Sequence, residues 1–182
     1  PDRYQATVLA ANRSEDDMEI LCRQHMPPYA IMGQPEAAEA LRERLSDTAR
    51  ITVLSGSEPL DDLVADPAIH SVVAGIVGFA GLRSALSAAR AGKHILLANK
   101  EALVSAGGLF METVRSGGAT LLPVDSEHNA MHQCLPIMND GRPDMTHVEK
   151  IVLTASGGPF RGRSREVLDD VTPEEACAHP NW

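Results

Sequence analysis

Short, continuous apolar runs alternate along this chain with longer stretches in which apolar residues return every three or four positions. The runs predict strands buried on both faces, and the longer stretches predict amphipathic helices. Ala6–Ala11 (ATVLAA) reads as a first strand. Ser14 then reads as an N-cap, with Glu15, Asp16 and Asp17 in the first helical turn and Met18, Leu21, Cys22 and His25 facing inward. Tyr29–Met32 predicts a second strand, and Pro35 opens a helix with Ala38, Leu41 and Leu45 on one face. Ile51–Leu54 predicts a third strand, followed by a short acidic helix over Glu58–Val64.

The second half repeats the pattern. Ser71–Ile76 predicts a fourth strand, running into a turn with Gly75, Gly78 and Gly81 and a helix with Leu82, Leu86 and Ala89 on one face, closed by Gly92. His94–Ala98 predicts a fifth strand and 101–115 a helix carrying Leu103, Val104, Leu109, Phe110 and Val114. Ala119–Val124 predicts a sixth strand, with a shorter helix from about Glu127. Asn139–Asp144 reads as a surface turn and Val148–Thr154 as a seventh strand. Thr172-Pro-Glu-Glu175 carries the capping-box signature of a short helix. Strand and helix in alternation predict an α/β fold, a doubly wound, mostly parallel Rossmann-like sheet. In such folds ligands gather at the carboxyl ends of the strands, so the segments just after strands are where chemistry is sought.

Composition narrows the class. The chain has 182 residues, 43% of them hydrophobic, which suits a globular core. Sixteen Lys and Arg face 25 Asp and Glu, a net charge of −9. That balance disfavours nucleic acid and anionic membrane surfaces as partners. No apolar run approaches the length that spans a bilayer. Cys22, Cys134 and Cys177 are odd in number and lack CxxC spacing, which suits a reducing compartment and no disulfide framework.

Four strand-end segments carry candidate chemistry. After the sixth strand, Asp125-Ser126-Glu127 puts two carboxylates two residues apart, able to meet one hard cation such as Mg²⁺ or Mn²⁺. The same residues also suit a plain helix start with solvated acids. His128 and His132 lie four apart but lack the interior glutamate of a zinc protease motif, so a surface or packed pair is the expectation. Asn99-Lys100-Glu101 follows the fifth strand, where a lysine can meet a phosphate or polarise a carbonyl, or simply lie in solvent. Ser156-Gly157-Gly158 follows the expected seventh strand, where backbone amides and a hydroxyl can hold a phosphate or form an ordinary loop. Arg161, Arg163 and Arg165 beyond it form a basic lip or a solvated face. Asn12-Arg13-Ser14 follows the first strand, where an arginine accommodates the 2′-phosphate of NADP, although no GxGxxG loop accompanies it.

LLANKEALVSAGGLF, LLPVDSEHNA, TASGGPFR and TPEEACAHPNW, in that order and spacing, resemble the 1-deoxy-D-xylulose 5-phosphate reductoisomerase family over nearly the whole chain. The resemblance implies an NADPH-dependent oxidoreductase and isomerase. It rearranges deoxyxylulose phosphate on a Mn²⁺ or Mg²⁺ ion by breaking and remaking a carbon–carbon bond. It then reduces the resulting aldehyde to 2-C-methyl-D-erythritol 4-phosphate in non-mevalonate isoprenoid synthesis. By the same resemblance Asp125 and Glu127 hold the metal, and Lys100 and Glu127 are catalytic. Lys100, Ser126, Glu127, Ser156, His179 and Trp182 bind substrate, the last within a flap. Asn12, Arg13, Ser14, Ala74, Gly75, Ile76, Asn99 and Glu101 bind the cofactor. Residues 1–123 are expected to form an NADPH-binding domain and 124–182 to open the catalytic domain. The family's first strand and pyrophosphate loop are expected before Pro1, and a third metal carboxylate after Trp182. The 182 residues alone are therefore expected to be inactive. A cytoplasmic bacterial homodimer acting on a small phosphorylated sugar is the implied whole. Two other classes stay open on the residues: a dehydrogenase of the homoserine or aspartate-semialdehyde type, which needs no Asp125–Glu127 metal pair, and a non-catalytic nucleotide-binding module.

Overall fold

The computed structural model describes residues 3–138, 143–154 and 157–178. The six strands are β1 Val8–Ala11, β2 Tyr29–Met32, β3 Thr52–Ser55, β4 Ser71–Ala74, β5 His94–Leu97 and β6 Thr120–Pro123. The helices are α1 Glu15–His25, α2 Pro35–Arg44, α3 Glu58–Ala65, α4 Leu82–Arg90, α5 Glu101–Gly117, α6 Ser126–Cys134 and α7 Pro173–Cys177. The strands form two three-stranded parallel sheets, β1-β2-β3 and β4-β5-β6. Ala30 stands between Leu9 and Val53 in the first sheet, and Ile95 between Val72 and Leu121 in the second. Parallel neighbours require crossovers, and α1, α2, α4 and α5 supply them, while α3 leads from β3 to β4. By its internal contacts the chain divides into Pro1–Gln133, which holds both sheets, and Cys134–Trp182.

Each sheet has its own core. Met18 and Cys22 of α1 and Ala38 and Leu41 of α2 close over Ala30 and Met32 of β2. Ala85, Leu86 and Ala89 of α4 and Phe110 and Val114 of α5 close over Ile95 and Leu97 of β5. The alanines allow close helix approach. A side chain at Gly117 would come within 2.1 Å of the Ala89 carbonyl oxygen, so only glycine fits where α5 meets α4.

The elements match the sequence pattern, with instructive exceptions. A single sheet covered on both faces is expected, yet β1 and β4 pair on one side only among the described residues, and Val73 of β4 is 71% exposed. An apolar strand declares its propensity but not its neighbours. For the same reason Val148–Thr154 is not a strand: it joins no ladder among the described residues, the Val148 N–H turns back to the Met145 carbonyl at 3.1 Å, and Ile151, Val152 and Leu153 are exposed. In α1, Met18 and Cys22 are buried, but Leu21 and His25 lie beyond the edge of the buried stripe. In α5, Phe110 and Val114 are buried but Val104 and Leu109 are exposed. The helix breaks at Ala106 (φ −146°, ψ 30°), which shifts the phase of one half against the other. The Asn139–Asp144 turn begins in residues outside those described. The expected capping box is present: Thr172 Oγ1 accepts from the Glu175 N–H at 3.3 Å, and Glu175 Oε2 from the Thr172 N–H at 3.0 Å. All three cysteines are free, Cys22 in the core. No helix among the described residues is long and apolar enough to cross a membrane.

One charged residue sits at the α3–α4 contact. Asp61 is 9% exposed, and burial pushes its carboxyl up, partly opposed by the Arg83 guanidinium. Arg83 Nε lies 2.5 Å from Asp61 Oδ2 but is not aligned to donate to it, so the oxygen gains charge compensation without a proper hydrogen bond. A carboxyl whose folded pKa is raised favours the folded state most when protonated, and that advantage is lost as pH rises through the raised value. Asp61→Asn should therefore gain stability relative to the parent as pH rises from about 4 toward 7. Urea unfolding midpoints across that range check this; a difference that does not change with pH would show that burial of Asp61 carries no such cost.

Candidate functional site at the carboxyl ends of the strands

Within each sheet the parallel strands bring their carboxyl ends to one edge, and the candidate residues fall there in two groups. The first group follows β1. Asn12 packs so closely on Gly33, after β2, that a Cβ at Gly33 would stand 2.4 Å from Asn12 Oδ1. The Gln34 N–H donates to the Asn12 carbonyl at 3.1 Å. Ser14 occupies the N-cap position of α1, as expected, but its side chain caps no backbone N–H. Arg13 lines a cleft of about 390 Å³ with Glu15, Gln34, Glu36 and Ala37. Among the described residues no carboxylate pairs with its guanidinium. The guanidinium and the Ser14 hydroxyl thus stand at a helix N-terminus, with the carboxylates of Glu15 and Glu36 lining the same cleft.

The second group follows β4, β5 and β6. Ala74 ends β4, and its carbonyl accepts from the N–H groups of Ala98 and Asn99, both at 3.1 Å. Asn99 is 3% exposed. Its Nδ2 donates to the Ile76 carbonyl at 2.7 Å and to the Gly78 carbonyl at 2.9 Å, while its Oδ1 accepts from the Ala102 N–H at 3.3 Å. One amide thus ties the turn after β4 to the first turn of α5. Gly81 closes the same knot: a Cβ there would lie 2.3 Å from the Ile76 carbonyl oxygen and 2.7 Å from Asn99 Nδ2. A Cβ at Gly75 would meet nothing within 4 Å, and the Gly75 N–H donates to the Val73 carbonyl at 3.1 Å. Asn99 therefore acts on the turn through its side chain, and Gly75 and Ile76 present the surface. Glu101 opens α5, exposed.

Lys100 stands at the N-cap position of α5 and reaches the end of β6. Its Nζ lies 3.2 Å from Asp125 Oδ2. The other oxygen, Oδ1, lies 2.8 Å from His128 Nδ1 and receives the His128 backbone N–H at 3.5 Å. Burial pushes the Asp125 carboxyl up, but the bonds from Lys100 and from the His128 backbone and ring outweigh it and hold it down at about 2. The Lys100 ammonium is raised in turn, chiefly by its bond to Asp125. Ser126 and Glu127 follow, exposed, in the first turn of α6. Asn129 anchors that turn by donating through Nδ2 to the Pro123 carbonyl at 2.7 Å.

His128 is the residue that the pattern misses. Paired in thought with His132, it turns instead to Asp125, three residues back. The usable signal is an Asp at the helix cap with His three positions on. No three of His, Cys, Asp and Glu among the described residues converge as a metal cage. Even so, the arrangement fits a divalent metal in kind: an ionised carboxylate, 13% exposed, already facing the Lys100 ammonium, with a second carboxylate two residues on. Ser156, His179 and Trp182 lie outside the described residues. Gly157 (φ +86°) and Gly158 (φ +54°), next in sequence after Ser156, hold backbone geometry that favours glycine. Arg163 is no free solvated charge, since it pairs with Glu175 at 3.3 Å and lies 5.4 Å over the Phe160 ring.

The Asn99 knot is testable by stability alone. Asn99→Ala leaves the Ile76 and Gly78 carbonyls without their donor, a loss of roughly 1–3 kcal/mol. Chemical denaturation should show that loss, and an unchanged midpoint would mean that water replaces the amide at no cost.

Comparison with known proteins agrees with this geometry. Residues 1–107 match the family model for 1-deoxy-D-xylulose 5-phosphate reductoisomerase, and residues 121–182 match the model for that enzyme's C-terminal domain. The 1-deoxy-D-xylulose 5-phosphate reductoisomerase of Ralstonia pickettii is 53% identical over 185 residues, which take in the whole of this chain and 46% of that protein. The enzyme of Nitrosococcus oceani is 54% identical over 186 residues, covering all of this chain and 47% of its own length. Among solved structures, a DOX-P reductoisomerase complexed with NADPH, fosmidomycin and magnesium superposes with a TM-score of 0.83 at 41% identity, over all of this chain and 46% of that one. The Zymomonas mobilis enzyme, in complex with NADPH, gives the same score and identity over 97% of this chain and 45% of its own. The chain thus spans about half the length of the relatives it matches. It belongs to the 1-deoxy-D-xylulose 5-phosphate reductoisomerase family.

Proposed function

We propose that the complete protein containing this chain converts 1-deoxy-D-xylulose 5-phosphate and NADPH to 2-C-methyl-D-erythritol 4-phosphate. The observation that carries this reading is the Lys100–Asp125–His128 cluster at the ends of β5 and β6, in a chain of this family. Residues 1–123 are read as the cofactor domain and 124–182 as the opening of the catalytic domain. A homodimer, a cytoplasmic location and a phosphorylated sugar as substrate complete the proposal. The free cysteines and the names of the relatives support the last two.

The chain's own residues divide the work. Arg13, Ser14 and Asn12 hold the 2′-phosphate end of the cofactor at the cleft beside α1. Ala74, Gly75 and Ile76 carry it along the turn after β4, kept in shape by Asn99, while Glu101 flanks it at the start of α5. NADPH supplies the hydride. Asp125 and Glu127 hold the divalent cation, Mg²⁺ or Mn²⁺, which supplies Lewis-acid polarisation of substrate oxygens. Lys100 gives a mobile positive charge on the substrate side of Asp125, and Glu127 and Ser126 offer polar contacts from the first turn of α6. His128 fixes the direction in which Asp125 points its free lone pairs. Ser156, His179 and Trp182 are assigned to the phosphate and the flap on the sequence motif.

Two measurements on the complete protein test this. Asp125→Asn or Glu127→Gln should cut turnover by two orders of magnitude or so while NADPH affinity stays near the parent's, because separate strand ends hold cofactor and cation. Turnover that survives exhaustive chelation would refute the metal role. Arg13→Glu should weaken NADPH relative to NADH by roughly 1.5–3 kcal/mol, the worth of a charge-assisted bond. Equal kcat/KM for the two cofactors in the parent would overturn the assignment of Arg13.

A further inference from the structure

The two partners of Asp125 are not equivalent. His128 comes from the same helical turn, with Nδ1 at 2.8 Å, within the usual range of a strong bond to a carboxylate. Lys100 comes from another strand end, 25 residues away, with Nζ at 3.2 Å, long for a charge-assisted bond. The Asp125 side chain is 13% exposed while that of Lys100 is 55% exposed, on a flexible four-carbon stem. No other acceptor holds the Lys100 ammonium by a hydrogen bond among the described residues. One partner is thus built in, and the other is free to leave.

A divalent cation at Asp125 needs an oxygen lone pair that faces outward from the helix turn. Oδ1 is committed to two donors of His128, which leaves Oδ2, the oxygen that Lys100 covers. An ammonium and a divalent cation cannot share one carboxylate oxygen without strong repulsion at contact distance. We propose that Lys100 is the exchangeable counter-cation of Asp125. Its ammonium holds Oδ2 in the metal-free protein, a divalent metal takes that oxygen by displacing it, and the released ammonium then meets an anionic or carbonyl oxygen of the bound ligand. This rests on the metal reading given under Proposed function.

The exchange has a thermodynamic signature. Metal that binds alone must break the Lys100–Asp125 pair, and a ligand oxygen that later receives the ammonium recovers the loss. Metal and ligand therefore tighten each other's binding, and by linkage the coupling is reciprocal. Without the lysine charge, metal alone binds more tightly and the coupling shrinks. Lys100→Arg keeps the charge and retains both effects.

The test is Mn²⁺ binding to the complete protein, read by electron paramagnetic resonance without NADPH, with and without 1-deoxy-D-xylulose 5-phosphate. Lys100→Met should lower the Mn²⁺ dissociation constant without substrate by about fivefold or more, the lower end of ordinary site–site coupling. Lys100→Arg should stay near the parent, and the tightening that substrate causes in the parent should be smaller in Lys100→Met. A second measurement uses the unsubstituted protein and stands even if Lys100→Met does not fold. Acylation of the Lys100 amine, followed by mass spectrometry, should become faster when Mg²⁺ is added. Mn²⁺ affinity that Lys100→Met leaves unchanged or weakens, or acylation indifferent to Mg²⁺, overturns the exchange while leaving the metal reading in place. A parent protein that binds no Mn²⁺ overturns both.

Discussion

Much of the site depends on one buried amide. Asn99, itself buried, bonds two carbonyls of the turn after β4 and one N–H of α5, so one side chain joins three backbone groups of two segments. A hydrophobic residue of the same size could fill the space but not join the two segments. Because the amide fixes the start of α5, it also fixes where Lys100 stands, and so which side of Asp125 receives the ammonium. Gly81 belongs to the same constraint, since any side chain there would collide with both the Ile76 carbonyl and the Asn99 amide.

The electrostatics follow from this placement. A carboxylate as little exposed as that of Asp125 should be hard to ionise, yet it is held ionised by an ammonium from one strand end and by two donors from its own helix turn. The same balance runs the other way at Asp61, where burial is the stronger influence and Arg83, badly aligned, compensates only in part. The contrast shows what distinguishes a carboxylate held ionised from one merely tolerated: the number and alignment of donors, more than the depth of burial. At the end of β1, Arg13 pairs with no carboxylate among the described residues, although Glu15 and Glu36 line the same cleft.

Helix and strand positions could be read from spacing because both elements follow local periodicity, and α2, α4, β2 and β5 lie where the pattern puts them. The strand-end rule then led to Arg13, Lys100, Asp125 and Glu127 without any coordinates. The four linked motifs also specified the family, since their order and spacing are a property of the chain itself. Val148–Thr154 has the composition of a strand, but a strand exists only where another backbone offers its donors and acceptors. The break at Ala106 likewise shifts the phase of α5, and no count of residues shows a break.

Only the tertiary structure decided the partners. That Asn99 faces inward to carbonyls, and that His128 turns to Asp125 instead of His132, depends on distances across a turn that spacing leaves open. The Lys100–Asp125 pair joins residues 25 positions apart, which become neighbours only because β5 and β6 are adjacent and parallel. The sequence by itself determined which side chains stand at the strand ends, because local periodicity fixes the elements and chemistry fixes the residue types. Which of those side chains meet, and so which charge holds which oxygen, was decided by the packing of strands against one another, an interaction between distant segments that local pattern does not encode.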